Sequence, residues 1–600
     1  MYILYSYIKY AGRSLINHEY TSNPSSMKPL CLQWVCLLVV LCSMFDGPIS
    51  GFAEKPDAGV ILRDINDKFP LFPDKNKTSP FVLSEKDSSS VATARTDIRI
   101  PVRKIVINGS TVFSKAALES FVARYVGREM TFEELNQVAK SITEKYVKAG
   151  YLAQTVLPPQ EIRNGVVVIQ VLEATLGDVE VTMGDHVRFS RNRAAGYVIS
   201  AQPKGSIVRI KDLERGILLL KERDGITSKV VIRPGTGAGA IDAVVNLEKT
   251  PLFTENLLFD NFGAPSTGEH RGMATLNIHS PLKIGDSISL RALYSEGIRY
   301  GRMLYSLPVA TQGAVAGFSL GHLDYKLRGE FTSLRATGSS LTAGTYLNVP
   351  LVVRRRSNLY SSINYDYRHF MDELAGVLTA DRKFQVGSVT LNGGWLDEWL
   401  SGGFTTAGIT YTFGSLDLSR LPSVLSQDMA GAHTAGAYQR LNISASRMQH
   451  LFDNRTSMSL SAAGQMASGN LDNFEKMTLG GPYAIRAYPT GEGSGDEGLL
   501  VVTELHRTLM PSLQLFGFYD YGIIRQFVNP WPGCFATAAP NIYSLDGAGL
   551  GMVFTPNKSF RLKSTVAYRL RHNPAANAQG KDHDGTFRDP RLWLEVGYDF

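Results

Sequence analysis

From Thr250 to the C-terminus the chain alternates apolar and polar residues in segments of about ten, and this limits its fold more tightly than any other feature. In SFRLKSTVAYRL, Phe560, Leu562, Val566, Tyr568 and Leu570 share one face of an extended strand, while Arg561, Lys563, Thr565 and Arg569 share the other. In TSMSLSAAGQMA, Met458, Leu460, Ala462 and Met466 oppose Ser457, Ser459, Ser461 and Gln465. The closing RLWLEVGYDF places Leu592, Leu594, Val596, Tyr598 and Phe600 together and ends on an aromatic. About sixteen such segments begin near 254, 271, 286, 301, 313, 337, 356, 381, 403, 436, 456, 497, 514, 546, 559 and 591, and none of this region shows a convincing amphipathic helix. A polar interior with an apolar exterior inverts a soluble sandwich. It suits a transmembrane β-barrel, because lipid cannot satisfy an open sheet edge. An even count fits a bacterial barrel, whose lumen at this size holds water unless something plugs it. A large soluble β-protein is the competing reading.

The start of the chain assigns the compartment. Met27-Lys28 leads into PLCLQWVCLLVVLCSM, and the small residues Gly51 and Ala53 precede Glu54, which is the pattern of a secretory signal over 1–53 with Met27 as its start. An N-terminal membrane anchor is the rival reading, and a lipoprotein at Cys42 is disfavoured by Leu41. Cys31, Cys36 and Cys42 fall inside this signal, leaving Cys534 with no intramolecular partner. Stability must then come from packing and closed hydrogen bonding. The net charge of +7 is spread out, which argues against nucleic acid as a partner.

Residues 54–98 read as a linker with one helical candidate, PDAGVILRDIN, in which Ala58, Ile61, Leu62 and Ile65 can share a face. A docked helix and a disordered tail are both open. Residues 99–174 then read as a globular module. It has a strand at RKIVI, a helix opened by Ser114, a second helix opened by the capping box Thr131/Glu134, and two strands with Asn164-Gly165 at the turn. Gly150-Tyr151 leading to Leu172-Glu173 recurs as Gly225-Ile226 leading to Leu247-Glu248, so 175–249 is predicted to repeat the β-α-α-β-β unit. Exposed edges of such sheets can accept an incoming strand.

GGPYAIRAYPTGEGSGDEG, residues 480–498, contains G-x-G-x-x-G, but no strand precedes the glycines and no helix follows them. Glu492, Asp496 and Glu497 would repel a pyrophosphate. The stretch lies instead in a long loop, 468–496, between two barrel strands. In LQLFGFYDYG, Gln514, Phe516, Phe518, Asp520 and Gly522 share a face, so Asp520 points into the lumen and Gly522 leaves room for something to approach the wall. Gly317-Phe-Ser319-Leu-Gly321 fits G-x-S-x-G, yet Ser319 sits mid-strand, not at a nucleophile elbow. His279 and His506 lack metal spacing. No catalytic residue, metal site or cofactor is expected, and the chain is not read as an enzyme.

These elements together resemble the outer-membrane transporters of two-partner secretion, the haemolysin secretion/activation family within the wider barrel-assembly superfamily. Ile485-Arg486-Ala487-Tyr488 resembles the family's loop signature, Phe518-x-Asp520-x-Gly522 its barrel-wall partner, and DNFGAPSTGEHR, with Asp260, Asn261, Gly263, Thr267, Gly268 and Arg271, its first-hairpin motif. Ala487 departs from the usual glycine. The resemblance implies a sixteen-stranded antiparallel barrel over 250–600 in the Gram-negative outer membrane, with two periplasmic POTRA domains at 99–174 and 175–249. It implies that the 57–66 helix plugs the pore and that Arg486 meets Asp520. It also implies partners: a secreted exoprotein with an N-terminal secretion domain, outer-membrane lipid, and the barrel-assembly machinery for insertion. The exoprotein would be captured unfolded by the POTRA domains and passed outward without ATP. An outer-membrane assembly factor or insertase is the alternative, disfavoured by only two POTRA copies, and a passive porin is disfavoured by having any.

Overall fold

The computed structural model describes residues 56–68, 99–535 and 539–600; the expected signal at 1–53 and the linker that follows the helix lie outside them. The first element is α1, Ala58–Lys68. Asp57 caps it, its carboxylate accepting from the Val60 backbone N–H at 2.9 Å.

The first α/β unit runs β1 (Ile100–Val102), β2 (Lys104–Asn108), α2 (Lys115–Val122), β3 (Arg128–Met130), α3 (Phe132–Lys148), β4 (Ala153–Val156) and β5 (Val166–Glu173). Its main sheet has the order β2-β5-β4, with β2 parallel to β5. Thr131 and Glu134 close a capping box at the start of α3, whose buried stripe Leu135, Val138, Ala139, Ile142 and Tyr146 packs with Val167, Ile169 and Val171 of β5. Asn164 and Gly165 both adopt positive φ and turn the chain into β5. They do not form a two-residue hairpin: Pro158 and Pro159, which cannot donate to a ladder, end β4 early and leave 157–165 as the connection.

The second unit repeats this order as β6 (Thr175–Met183), α4 (Arg191–Ala201), α5 (Ile210–Lys221), β7 (Ile226–Pro234) and β8 (Ala240–Lys249), with sheet order β6-β8-β7. It docks on one side of the barrel rim. Arg188 donates to the carbonyls of Ser280 and Pro281, Arg193 to those of Ile284 and Pro308, and Arg215 to those of Pro350 and Leu351. Tyr360 bonds Glu222, and His279 lies 3.2 Å from Asp224.

Sixteen antiparallel strands close the barrel. They are β9 (Phe253–Asp260), β10 (Arg271–His279), β11 (Ser287–Tyr294), β12 (Ile298–Pro308), β13 (Val315–Lys326), β14 (Ala336–Val353), β15 (Ser357–Leu374) and β16 (Val377–Asp397), followed by β17 (Gly403–Asp417), β18 (Gly436–His450) and β19 (Thr456–Ala467). After the short pair β20 (Met477–Thr478) and β21 (Ser494–Gly495) come β22 (Glu497–Met510), β23 (Leu513–Arg525), β24 (Ile542–Phe554), β25 (Phe560–Arg569) and β26 (Arg591–Asp599). The starts differ by a few residues at most from those read off the alternation. On β17, Ile409, Tyr411 and Phe413 are exposed outward while Thr412 is buried inward, as lipid outside and polar contacts inside require. The closing seam is short, pairing β26 with β9 only from Glu595 opposite Asp260 to Asp599 opposite Asn256. Connections such as 354–356 and 511–512 are short on the side of the α/β units, whereas 418–435, 468–496 and 570–590 are long on the other, which fixes periplasm and exterior.

One helix was not anticipated: α6, Pro422–Ala430, within the 418–435 loop. Only Val424 and Leu425 pack inward, half-buried against the lumen cluster, too few for a periodicity reading to find. α1, in contrast, lies inside the barrel. Ala58, Ile61, Leu62 and Ile65 are buried together against Leu323, Tyr325, Phe370 and Phe384 of the wall and Phe474 of the 468–496 loop.

Glu173 ends β5 by accepting from the backbone N–H groups of Thr111 and Val112, the Thr111 hydroxyl and Tyr146 Oη. Burial pushes its carboxyl up, but these donors outweigh it and hold the group below the usual carboxylate range. A carboxylate lowered on folding contributes stability above its unfolded pKa and loses it as pH falls through the folded value. We therefore expect Glu173→Ala to destabilise 100–174 by about 1 to 3 kcal/mol at neutral pH, with the deficit shrinking in acid. Hydrogen exchange across 100–174 in the full chain at pH 7 and pH 3 measures both.

Candidate functional site

The loop between β19 and β22 turns back into the lumen. The β20–β21 pair forms its neck, and a bridge from Gly480 to Ile485 tightens its tip. At that tip Arg486 forks onto Asp520 of β23, with Nε to Oδ2 at 3.0 Å and Nη2 to Oδ1 at 2.7 Å. The Arg486 backbone N–H adds a third bond to Oδ2 at 3.0 Å. Two parallel bonds to one carboxylate fix orientation as well as distance. The remaining Nη1 pairs with Glu504 of β22, and the guanidinium carbon stacks 3.5 Å above the centre of the Phe518 ring. Trp593 of β26 donates to the Arg486 carbonyl at 2.7 Å. Asp520 is fully buried and Arg486 nearly so.

The wall is shaped to receive this tip. A Cβ on Gly522 would stand 2.7 Å from a Leu479 methyl and 3.0 Å from an Ile485 methyl. Gly547 of β24, the cross-strand neighbour of Asp520, would collide at 2.6 Å with the Ala487 methyl. The small residue that fits Ala487 is therefore in the wall. Tyr488 is buried, donating to the Arg571 carbonyl at 2.9 Å, with Arg569 4.8 Å over its ring.

The carboxylates of the same stretch are all engaged. Glu492 accepts from Asn573 Nδ2 and from the His583 backbone, both at 2.9 Å; burial pushes its carboxyl up, against the lowering pull of His583. Asp496 pairs with Lys476 at 2.7 Å and Glu497 with Arg525 at 3.1 Å. These groups hold the loop and need no phosphate.

The first-hairpin residues lie beside the tip. Asp260 pairs with Arg271 at 2.9 Å. Asn261 extends the seam by bonding the Leu592 carbonyl and the Leu594 N–H, and Phe262 packs edge-on to both Tyr483 and Trp593. Gly263 is needed because a Cβ there would meet the Gly268 carbonyl at 2.1 Å, and Gly268 itself has φ +97. The Thr267 carbonyl accepts from Gly297 N–H and Ser295 Oγ. Thr490 Oγ1 donates to the Phe262 carbonyl at 3.1 Å, joining hairpin to loop.

Sequence reasoning missed the anchors of α1. Arg382 of β16 meets Asp57 and Asp372 at 2.9 Å each and Asp472 at 3.1 Å, and Asp372 also accepts from the Ala58 N–H. Glu504 and Trp593 were missed as partners of Arg486. Glu504 falls on the lumen face by simple alternation, which was the available signal. Ser319 lies mid-strand on the lumen face of β13. His279 and His506 each contact a single carboxylate, and no His/Cys/Asp/Glu group that could hold a metal occurs among the described residues.

Known proteins share this architecture. Residues 100–174 match the model of the ShlB-type POTRA domain, and 239–530 that of the haemolysin secretion/activation protein ShlB/FhaC/HecB. The chain is 25% identical to the heme/hemopexin transporter protein HuxB of Haemophilus influenzae strain 86-028NP, over 86% of this chain and 92% of that one. It is 26% identical to the hemolysin transporter protein ShlB of Serratia marcescens, over 68% and 72% respectively. The fold superimposes on CdiB from Escherichia coli with a TM-score of 0.69 at 19% identity, covering 92% of this chain and all of that one.

Arg486→Ala leaves the buried Asp520 carboxylate unpaired and is expected to cost about 3 to 5 kcal/mol, read as lost exchange protection over 479–493. The swap Arg486→Asp with Asp520→Arg restores only part of it, because Glu504 still faces position 486, and adding Glu504→Gln improves the rescue. Arg382→Ala leaves Asp57, Asp372 and Asp472 to repel one another, so the ionic conductance of the full chain in planar bilayers should rise above that of the unaltered chain. Unchanged conductance would show that α1 is held by other contacts.

Proposed function

This chain belongs to the haemolysin secretion/activation family, the outer-membrane transporters of two-partner secretion, and from that premise we propose that its α/β units capture an unfolded exoprotein and the barrel conducts it outward without ATP. It resides in the Gram-negative outer membrane with its POTRA region in the periplasm.

One observation carries the proposal: the two segments that fill the lumen are separable from the wall. α1 and the 479–493 tip are tied to the barrel strands through side chains such as Arg382 and Arg486, not through ladder bonds, so they can move while the cylinder stays closed. Capture is assigned to the sheet edges, β4 in the first unit and β7 in the second, where an extended segment can add as a strand. The exoprotein's N-terminal secretion domain would supply that strand. Energy comes from binding and from folding outside, since a domain folded beyond the pore cannot easily return. The Arg486 cluster, with Ile485, Ala487, Tyr488, Phe518, Asp520 and Gly522, sets the position of the loop during passage, and the Asp260–Gly268 hairpin supports it.

The test uses vesicles containing the full chain with its periplasmic units outward, no nucleotide, and unfolded secreted proteins as candidate cargo. Protease-protected exoprotein should accumulate inside, and deleting residues 100–174 should reduce both its binding and its accumulation to background. Undiminished binding after the deletion refutes capture by the first unit. A requirement for ATP refutes the energetic scheme. Insertion of other barrels in place of export would reassign the chain as an assembly factor.

A further inference from the structure

The lumen is filled unevenly. α1 lies against β13 to β16 through the Arg382 cluster and its apolar face, and the second α/β unit is fastened to rim residues between 279 and 360. On the other side a cavity of about 560 Å³ separates Arg63 and Asp64 of α1, and the inturned loop, from the wall built by β16 to β19. Two independent features, the seat of the plug and the seat of the periplasmic unit, thus leave the same wall uncovered.

That wall has its own chemistry. Thr390, Asn392, Thr410, Asn442, Ser444 and Ser461 share the inward face through consecutive cross-strand pairs, Thr390 with Thr410, Thr410 with Asn442, and Asn392 with Gly408 beside Ser444. These six are short and neutral; the charged residues on the same inward faces, Arg382 of β16 and Arg440 of β18, stand nearer the exterior end and are paired with carboxylates of the plug, β15 and the loop. Thr390 and Thr410 hydroxyls lie 3.0 Å apart, and the Asn392 carbonyl oxygen is buried with no hydrogen-bond partner in the protein. The inward face of β12 and β15 is different, carrying Arg302, Asp366 and Arg368, all buried.

We infer that the exported polypeptide runs extended along the neutral β16–β19 wall, entering at the part of the periplasmic rim away from the second α/β unit. This rests on the export reading above. Hydroxyls and primary amides both donate and accept, so they exchange hydrogen bonds with a passing backbone and with water at nearly equal cost. Fixed buried charges would instead retain oppositely charged residues of the passing chain. The wall therefore selects for extended backbone, not for a side-chain sequence.

The test takes a secreted protein that passes the vesicle assay, carrying one free cysteine besides a disulfide-locked folded domain at its C-terminus so that it stalls in the barrel. The full chain carries Cys534→Ser with Thr410→Cys or Ser444→Cys on the neutral wall, or Thr342→Cys on β14. Asn442→Cys replaces any neutral-wall variant that does not fold, and labelling by a small methanethiosulfonate reagent confirms that each cysteine is reachable. With a thiol oxidant added to take up the two electrons, mixed disulfides should form several-fold faster on the neutral wall than at Thr342→Cys. Equal or faster reaction at Thr342→Cys overturns the inference, as does a stalled chain that reacts at no position. Failure of every secreted protein in the vesicle assay would instead reject the export reading itself.

Discussion

Hydrocarbon offers no partner to a peptide N–H or C=O, and the rest of this molecule is arranged around that fact. The ladder must close on itself, so β26 returns to β9. Closure then dictates the side chains: Ile409, Tyr411 and Phe413 face outward, and residues such as Thr412 and Gln465 face inward. A cylinder of sixteen strands is too wide for wall side chains alone to fill. The space is occupied by α1 and by the 468–496 loop, and each brings an arginine-carboxylate cluster with it.

The two clusters differ in kind. Arg486 holds one loop tip by a fork, a second carboxylate and an aromatic face, and the wall is cut away at Gly522 and Gly547 to admit it. Shape and charge both specify that position. Arg382 instead gathers three carboxylates from α1, β15 and the loop, so one side chain joins plug, wall and loop. Guanidinium suits both tasks because it stays charged and presents several donors in a plane.

Much of this was legible in the sequence because the governing rules are local. Alternation places each strand within a few residues, and it puts Phe518, Asp520 and Gly522 on the lumen face before any partner is known. Arg486 was conspicuous as the one cation in its loop tip. Apart from Arg486 meeting Asp520, which the family resemblance supplied, what escaped was set by distant pairing. Nothing local to Glu504, Trp593 or Gly547 says that they surround position 486, since each lies on a different strand. The Arg382 cluster joins residues 57, 372, 382 and 472, which no window spans. α6 escaped for the opposite reason: only Val424 and Leu425 pack inward, too short a pattern to read.

The brevity of the β26–β9 seam bears on biogenesis. Because its partners are β9 and β26, no ring exists until β26 is in place, however long the preceding hairpins have been available. Asn261 lengthens that last zipper by grasping Leu592 and Leu594 from across it. β26 is thus the clasp of the vessel, and without it the sheet would be an open ribbon with two unpaired borders.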